Sequence, residues 1–336
     1  MKKISWFTPS NLDESGDLWY SQGYFNAALN TIKALQEKDV AVYYNRSNIP
    51  FHINFCLPVY YQLNRSYTVG YTPWESTKVP LAWKDPVSKC NELWATSQFT
   101  KNVFVNNNLH HNIKVIPHGI SPEFEIYDRE LNNRFNFLHI GGDAKRKNVQ
   151  MVIDSFLEVH EGNSDIHLYL KYNKYCDGDV YLDGKILPAD KHPQITSIPD
   201  VYDLEEMVSL YKKCHCLVYP TSGEGFGMIP FEAICTGMPT IVTNLTGTAD
   251  FAHMSIPLEA EWGEAPFQSH MYGFDAGNWA IPNYDALCGL MENVVDEYEM
   301  FKKHTLQSAR ILHEKQSWSA VADMIVERIQ DFEMNL

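Results

Sequence analysis

One glycine-rich stretch constrains the fold of this chain more than any other feature of its sequence. Residues 221–233 read TSGEGFGMIPFEA and connect an apolar strand candidate to a helix candidate. Three glycines, Gly223, Gly225 and Gly227, let the backbone approach a ligand closely and take positive φ. The first turn of the helix presents free N–H groups and a partial positive charge, which together suit a phosphate. We therefore predict an anion site where this helix begins.

Two glutamates frame these glycines. Glu232 lies five residues beyond Gly227, which corresponds to about 7.5 Å along a helix that rises ~1.5 Å per residue. A similar distance separates the diphosphate of a nucleotide from its ribose. Glu224 lies on the other side, in the loop, where its carboxylate can hold a second polyol. The arrangement predicts a site for a diphosphate between two polyols, and an acidic turn before an ordinary helix is the alternative.

The spacing Glu224-x7-Glu232 around Gly-Phe-Gly resembles the donor motif of glycosyltransferase family 4. The resemblance implies that Glu224 contacts the transferred sugar and that Glu232 binds the ribose hydroxyls. It also implies donor contacts by the residues between them, which are Gly225, Phe226, Gly227 and Met228. The implied fold is GT-B, an α/β architecture in which two Rossmann-like domains face an interdomain cleft and a C-terminal helix returns to the first domain.

Strand and helix patterns alternate along the chain, which predicts α/β domains. We predict an acceptor domain over residues 1–120, a linker over 121–134, a donor domain over 135–316 and a returning helix over 317–336. Residues 259–282 are interpreted as a long insertion without assigned structure. Predicted strands cover 3–9, 40–44, 66–71, 93–96, 113–117, 135–140, 166–171, 194–198, 216–219 and 239–243, and helix 22–37 follows the first of them.

A basic loop follows the strand predicted at 135–140. It reads GGDAKRKN over residues 141–148. In the resembled family this loop carries an Arg and a Lys that bind the diphosphate and stabilise the leaving group. Lys147 matches the Lys, whereas the position of the Arg falls on Gly142. We expect Lys145 or Arg146 to replace that Arg, and a solvated basic turn is the alternative.

Two further candidates lie in the first domain. Glu75 follows a predicted strand that ends in Thr-Pro-Trp-Glu, at the carboxyl edge where open α/β sheets bind ligands. We predict that Glu75 is a catalytic residue on the sugar or acceptor side, and a helix-initiating Glu is the alternative. Gly16, in the polar loop before helix 22–37, is a candidate phosphate-binding residue, although a plain turn glycine is equally consistent with the sequence.

The composition of the chain limits which acceptors the protein can bind and in which compartment it is expected to work. Residues 1–120 contain 11 Lys/Arg and 8 Asp/Glu, whereas the remaining residues contain 16 and 34. The mild positive charge and the aromatic residues of the first part permit an anionic acceptor, but the net charge of −15 argues against broad nucleic-acid binding. The sequence contains no apolar run of ~18 residues, so we expect no membrane-spanning helix. Seven scattered cysteines suit a reducing cytoplasm.

The resemblance implies a retaining glycosyltransferase that moves a sugar from a UDP- or GDP-sugar to a hydroxyl acceptor. Glu224 is expected to orient the sugar, and Lys147 to stabilise the leaving group. We expect no metal and no other cofactor, because the helix dipole and the cations neutralise the departing diphosphate. The acceptor is either a glycan or a hydroxymethylated base in phage DNA. A non-catalytic scaffold that binds a nucleotide sugar is the alternative, since Gly142 occupies the position of the Arg.

Overall fold

Two parallel sheets of six strands organise the chain. The computed structural model describes residues 2–9, 22–63, 66–131, 134–141, 145–172, 181–182, 185–186 and 192–334. Helices pack against each sheet, because consecutive parallel strands need crossover connections. Among the described helices, none combines the length and the hydropathy needed to span a bilayer.

The first sheet is formed by the N-terminal part of the chain. Its strands are β1 (Lys2–Phe7), β2 (Val40–Tyr44), β3 (Phe51–Phe55), β4 (Tyr67–Thr72), β5 (Glu92–Ala95) and β6 (Ile113–Val115), and its helices are α1 (Gln22–Glu37), α2 (Lys84–Ser88) and α3 (Gln98–Asn106). The strand order is β2-β1-β3-β4-β5-β6, and all neighbouring strands are parallel.

The second sheet follows along the chain. The strands of this part are β7 (Phe135–Ile140), β8 (Ile166–Lys171), β9 (Tyr181–Leu182), β10 (Lys185–Ile186), β11 (Ile195–Ile198), β12 (Cys216–Tyr219), β13 (Thr240–Thr243), β14 (Ile256–Leu258), β15 (Ala260–Glu264) and β16 (Asn278–Pro282). The sheet order is β11-β8-β7-β12-β13-β14, with β9–β10 and β15–β16 as separate antiparallel pairs. The helices of this part of the chain are α4 (Val149–His160), α5 (Leu204–Lys213), α6 (Met228–Cys235), α7 (Pro266–Tyr272), α8 (Tyr284–Asp296), α9 (Tyr298–Lys315) and α10 (Trp318–Met334).

The order of the second sheet determines where its ligand site can form. Strands are added outward in one direction from β7 and in the opposite direction from β12. Such a switch point opens a crevice at the carboxyl ends of the strands. The loop after β7 contains Lys145, Arg146 and Lys147, and the loop after β12 contains the glycines. Both candidate loops therefore lie beside the same crevice.

The structure confirms most of the predicted strands and corrects the first sheet. β3 was missed, although it is a central strand. Its polar side chains, His52 and Asn54, are buried and have hydrogen-bond partners. His52 Nδ1 lies 2.9 Å from Ser5 Oγ, and Asn54 Oδ1 accepts from the backbone N of Gln62 at 2.6 Å. The insertion, to which we assigned no structure, contains β15, α7 and β16.

The last helix, α10, packs against the first sheet as the resemblance implied. Trp318, Val321 and Ile325 are buried in one cluster with Ile4 and Trp6. Each fully buried apolar side chain of this size contributes about 1.5–3 kcal/mol to stability. The contact therefore joins the end of the chain to its beginning.

A buried ion pair adds to this contact. Glu92 on β5 is 1% exposed. Its carboxylate accepts from Arg328 Nε of α10 at 3.3 Å, from Trp94 Nε1 at 2.8 Å and from Tyr67 OH at 3.0 Å. Burial raises the pKa of Glu92, but the bonds from Arg328 and Trp94 outweigh it and hold the pKa below its usual value.

We predict that Arg328→Ala destabilises the protein by about 3 kcal/mol, because it leaves the buried Glu92 carboxylate without its cation. The matched control is Arg310→Ala, which removes an exposed arginine from α9. Calorimetric unfolding should show a lower midpoint for Arg328→Ala alone. Equal midpoints for the two variants would contradict the importance of this pair.

Candidate active site

The candidate active site lies where the carboxyl edges of the two sheets meet. The carbonyl oxygen of Gly225 accepts from Thr96 Oγ1 at 2.7 Å and from Thr100 Oγ1 at 3.2 Å. The backbone N of Gln98, at the start of α3, donates to Asp250 Oδ2 at 2.8 Å. These bonds cross from the first sheet to the second, so the two parts of the chain are in direct contact at the glycine loop.

The glycines of this loop serve two different purposes. Only Gly227 takes the expected positive φ, at 98°. Gly223 and Gly225 do not, and they instead permit the close contact with the first part of the chain. A Cβ on Gly223 would lie 2.5 Å from the carbonyl O of Glu75, and one on Gly225 would lie 2.7 Å from the backbone N of Trp74. No side chain can be accommodated there without moving the two parts apart.

Glu224 is held in a cluster of cations and hydroxyls. Its Oε1 accepts from Tyr219 OH at 2.8 Å and lies 3.1 Å from Arg146 Nη1. Burial alone would raise the pKa of Glu224. The positive charges of Arg146 and Lys147 overcome that effect, and the pKa lies below its usual value. Glu224 is therefore an ionised carboxylate with a fixed orientation at neutral pH.

Arg146 connects the two sides of the site. Its Nη1 donates to the carbonyl O of Gly223 and lies 3.8 Å from Glu75 Oε1. Glu75 comes from the loop after β4, and its Oε2 accepts from Gln268 Nε2 at 2.7 Å. The structure thus brings the predicted residues Glu75, Arg146 and Glu224 together in one network, to which the insertion contributes Gln268.

The basic loop is fixed to the glycine loop by hydrogen bonds. The carbonyl O of Arg146 accepts from the backbone N of Ser222 at 2.8 Å. Asn148 Nδ2 donates to Pro220 O at 2.7 Å and to Ser222 Oγ at 2.8 Å. Lys145, by contrast, is exposed, and its Nζ lies 6.0 Å from the ring centroid of Phe267. Of the two candidate replacements for the family Arg, Arg146 is the one that faces Glu224.

The charge of Lys147 acts on both glutamates of the motif. Lys147 is 9% exposed, and its Nζ lies 5.2 Å from the centre of the Tyr219 ring. Its charge lowers the pKa of both Glu224 and Glu232. Burial has the larger effect on Glu232 and raises its pKa to about 8, although Tyr211 OH donates to its Oε2 at 3.2 Å. Glu232 is therefore mainly protonated at neutral pH in this structure.

The other residues predicted to contact the donor do not all direct their side chains into the site. The Phe226 side chain is buried among the rings of His118, Phe231 and Phe251, so only its backbone can reach a ligand. Met228 begins α6, with Gly227 as its N-cap and no side-chain cap among the described residues. Gly16 and Gly142 lie outside the described residues, and their predicted roles stay predictions.

Sequence reasoning missed several residues of this site. Thr96, Thr100 and Gln268 contact it from elements that are distant along the chain. A local signal existed only for Thr100, because the pattern Ser97-x-x-Thr100 at the start of α3 is a typical helix cap, and Ser97 Oγ does accept from Thr100 N at 3.1 Å. Nothing local to Gln268 predicts that it contacts Glu75.

Two cavities lie away from this site. One of about 530 Å³ is lined by residues such as Arg129, Arg134 and Lys212, at the amino ends of the strands of the second sheet. Another of about 410 Å³ lies beside α5, near Tyr202 and Ser209. The network around Arg146 is the better candidate for a catalytic site, because it joins both parts of the chain and combines paired charges with shifted pKa values.

Comparisons with known proteins agree with this geometry. A family model described as Family 4 Glycosyltransferase in conflict systems matches residues 101–325, which is well over half of the chain. The chain belongs to this family. The match includes the basic loop, the glycine loop and both motif glutamates.

Solved structures show the same architecture. Sucrose-phosphate synthase from Thermosynechococcus elongatus superposes with a TM-score of 0.68 at 10% identity, over 100% of both chains. HepE from Anabaena, in complex with UDP-glucose, gives a TM-score of 0.65 at 12% identity, over 98% of this chain and 100% of that one. At these identities the likeness establishes the fold, two Rossmann-like domains of the GT-B type.

Curated relatives match part of the chain. The capsular polysaccharide biosynthesis glycosyltransferase CapM of Staphylococcus aureus is 28% identical over 126 residues, which is 38% of this chain and 32% of that protein. The chain spans less than half the length of the curated relatives it matches.

The contact at Gly225 allows a direct test. We predict that Gly225→Ala separates the two domains, because its methyl group would clash with Pro73 and Trp74. The radius of gyration from X-ray scattering should rise, and the unfolding midpoint should fall.

The matched control is Gly289→Ala in α8. A Cβ at Gly289 meets nothing within 4 Å, and alanine favours the helix by up to about 1 kcal/mol. If Gly225→Ala behaves like Gly289→Ala in both measurements, the closed contact is not present in solution.

Proposed function

We propose that this protein transfers a sugar from a nucleotide diphosphate sugar, a UDP- or GDP-sugar, to a hydroxyl acceptor, with retention of configuration and without a metal. The observation that supports this most is the position of Arg146 and Lys147 beside Glu224, in the loop that leads into α6. Two cations and a helix N-terminus provide the positive charge that a departing diphosphate needs.

The diphosphate would take over the cations that now face carboxylates. Arg146 lies 3.1 Å from Glu224 Oε1 and 3.8 Å from Glu75 Oε1. A bound diphosphate carries more negative charge than either carboxylate and accepts bidentate bonds from a guanidinium. In this proposal Arg146 performs the role of the family Arg, and Lys147 holds the phosphate oxygen that leaves with the nucleotide.

Glu232 and Tyr211 form the proposed ribose site. Glu232 lies in the second turn of α6, and its raised pKa leaves it mainly protonated before the donor binds. A ribose diol offers two donors and two acceptors. A carboxyl group that keeps its proton can both donate to and accept from such a diol, whereas an ionised one only accepts.

Glu224 is proposed to orient the transferred sugar. Tyr219 and Arg146 fix its carboxylate, which is suited to accept hydrogen bonds from sugar hydroxyls. The acceptor oxygen then bonds to the anomeric carbon on the face from which the phosphate oxygen leaves. The proton of the acceptor hydroxyl passes to that phosphate oxygen, so no separate base is needed.

The acceptor is proposed to be a glycan hydroxyl. Support comes from the relative named for capsular polysaccharide biosynthesis. A hydroxymethylated base in phage DNA is the second candidate, which the net positive charge of residues 1–120 favours. Steep salt dependence of binding to such DNA would distinguish the second from the first.

The six described cysteines are all free and buried, which supports a reducing cytoplasm as the setting.

The test is the release of nucleotide from UDP-, GDP-, ADP- and dTDP-sugars. We predict that Arg146→Ala lowers the rate 100-fold or more. Loss of one group that stabilises the transition state usually lowers kcat by roughly 10²- to 10³-fold. Glu224→Ala should lose turnover but keep donor binding. Lys145→Ala is the matched control, and its rate should stay within about twofold of the wild type.

Three outcomes would contradict the proposal. A Lys145→Ala rate as low as that of Arg146→Ala would move the role to Lys145. Full turnover by Glu224→Ala would remove that residue from the reaction. Donor binding without any turnover by the wild type would favour the non-catalytic scaffold.

A further inference from the structure

One side chain of the insertion reaches the centre of the site. Gln268 in α7 is 1% exposed, although it is polar and its helix lies at the surface of the second domain. Its Nε2 donates to Glu75 Oε2 at 2.7 Å. The other oxygen of Glu75, Oε1, faces Arg146 Nη1 at 3.8 Å. Glu75 therefore has one oxygen held by the insertion and one directed toward the cations and Glu224.

The insertion is attached to the loop that carries Glu75. The backbone N of Thr77 donates to Asn278 O at 2.9 Å, and that of Lys78 donates to Ala276 O at 3.0 Å. The backbone N of Asn278 returns a bond to Thr77 Oγ1 at 2.7 Å. Loop 74–78 and the insertion thus behave as one packed unit, even though nearly 200 residues separate them in the chain.

The same insertion also contacts the glycine loop. The backbone N of Ala280 donates to Ser222 O at 2.7 Å. On the opposite side, the ring of Trp262 stacks on Phe99 of α3, with 6.0 Å between ring centroids. The segment 260–282 consequently spans both domains and forms one wall of the site.

We propose that Gln268 is a positioning residue that holds Glu75, so that Glu75 Oε1 accepts a hydrogen bond from the attacking hydroxyl as the acceptor binds, before the proton of that hydroxyl passes to the leaving phosphate oxygen. This inference rests on the proposed function. A glutamate side chain with one oxygen fixed loses little further freedom when the other binds a substrate. Without Gln268, the Glu75 carboxylate loses its fixed orientation toward the attacking hydroxyl, while the cations that face the diphosphate are unchanged. The insertion then forms the acceptor side of the site, opposite the nucleotide.

The experiment is a double-mutant cycle on nucleotide-sugar hydrolysis, in which water is the attacking hydroxyl. The variants are Gln268→Leu, Glu75→Gln and the two combined. The probe is UDP-glucose, or whichever of the UDP-, GDP-, ADP- and dTDP-sugars the wild type cleaves. We expect kcat to fall about 10-fold in each single variant, with KM for the donor within twofold of the wild type. We expect the double variant to match the single ones, because Gln268 acts only through Glu75.

A purely structural role of Gln268 predicts a different result. The two losses would then multiply, and the donor KM would rise as the wall of the site loosened. Either finding overturns the inference but not the proposed function. Wild-type protein that cleaves no nucleotide sugar would overturn both.

A second variant keeps the test informative if Gln268→Leu folds poorly. Gln268→Glu preserves the size of the side chain but places a carboxylate against Glu75. Two such carboxylates share a proton as the pH falls, and the protonated partner can again donate to Glu75. Arg146 also faces Glu75 and is itself paired with Glu224, so the profile is compared with that of the wild type.

The kcat of Gln268→Glu, relative to wild type, should therefore recover by about fivefold as the pH falls from 8 to 5. A pH-independent ratio would overturn the inference. Asp275→Asn is the matched control within the same segment, because it weakens the exposed ion pair with Lys78 but leaves an amide oxygen that can still accept from the backbone N of Gly277. Its kcat should stay at the wild-type value.

Discussion

The contact between the glycine loop and loop 73–75 is the constraint on which the rest of the site depends. Gly223 and Gly225 lack side chains at the points where the backbone of the first domain would clash with any Cβ. This close approach places Arg146 between Glu75 and Glu224, one carboxylate from each domain. The cation is thus shared across the interface, and its position is defined only when the domains are together.

Closure and chemistry are coupled by this arrangement. The carbonyl O of Gly225 already accepts from two threonine hydroxyls of the first domain. His118 adds an aromatic contact, because its ring packs on Phe226 from one side and on Trp318 of α10 from the other. Loss of solvent from such an interface strengthens the electrostatic effects of Arg146 and Lys147 on a bound diphosphate. Entry of a donor then requires at least a local separation of the loops.

Local patterns were sufficient to find the loops that the second domain contributes to the candidate site. The glycines, both motif glutamates and the basic loop are short segments whose spacing has a direct physical meaning. The structure brings Glu224, Arg146 and Lys147 together. The sequence left open which cation replaces the family Arg, because side-chain direction in a turn depends on hydrogen bonds such as that between Arg146 O and Ser222 N.

Contacts between distant segments could not be predicted in the same way. Gln268 reaches Glu75 only because the β15–β16 pair adds backbone bonds to loop 74–78. The strand β3 was missed for a related reason, since the partners that satisfy His52 and Asn54 lie on other elements. Gly223 and Gly225 were assigned to positive φ, whereas tertiary packing against Glu75 and against Pro73 and Trp74 determines their identity. In each case the deciding partner is remote in sequence.

Hydrogen–deuterium exchange with and without a saturating nucleotide sugar tests the central claim most directly. The claim is that the nucleotide binds at the glycine loop, between the shared cation and α6. It predicts slower exchange for the amides of residues 222–232 and of the basic loop at 145–148. Protection confined to the cavity lined by Arg134 and Lys212, or binding with no protection of the glycine loop, would contradict it.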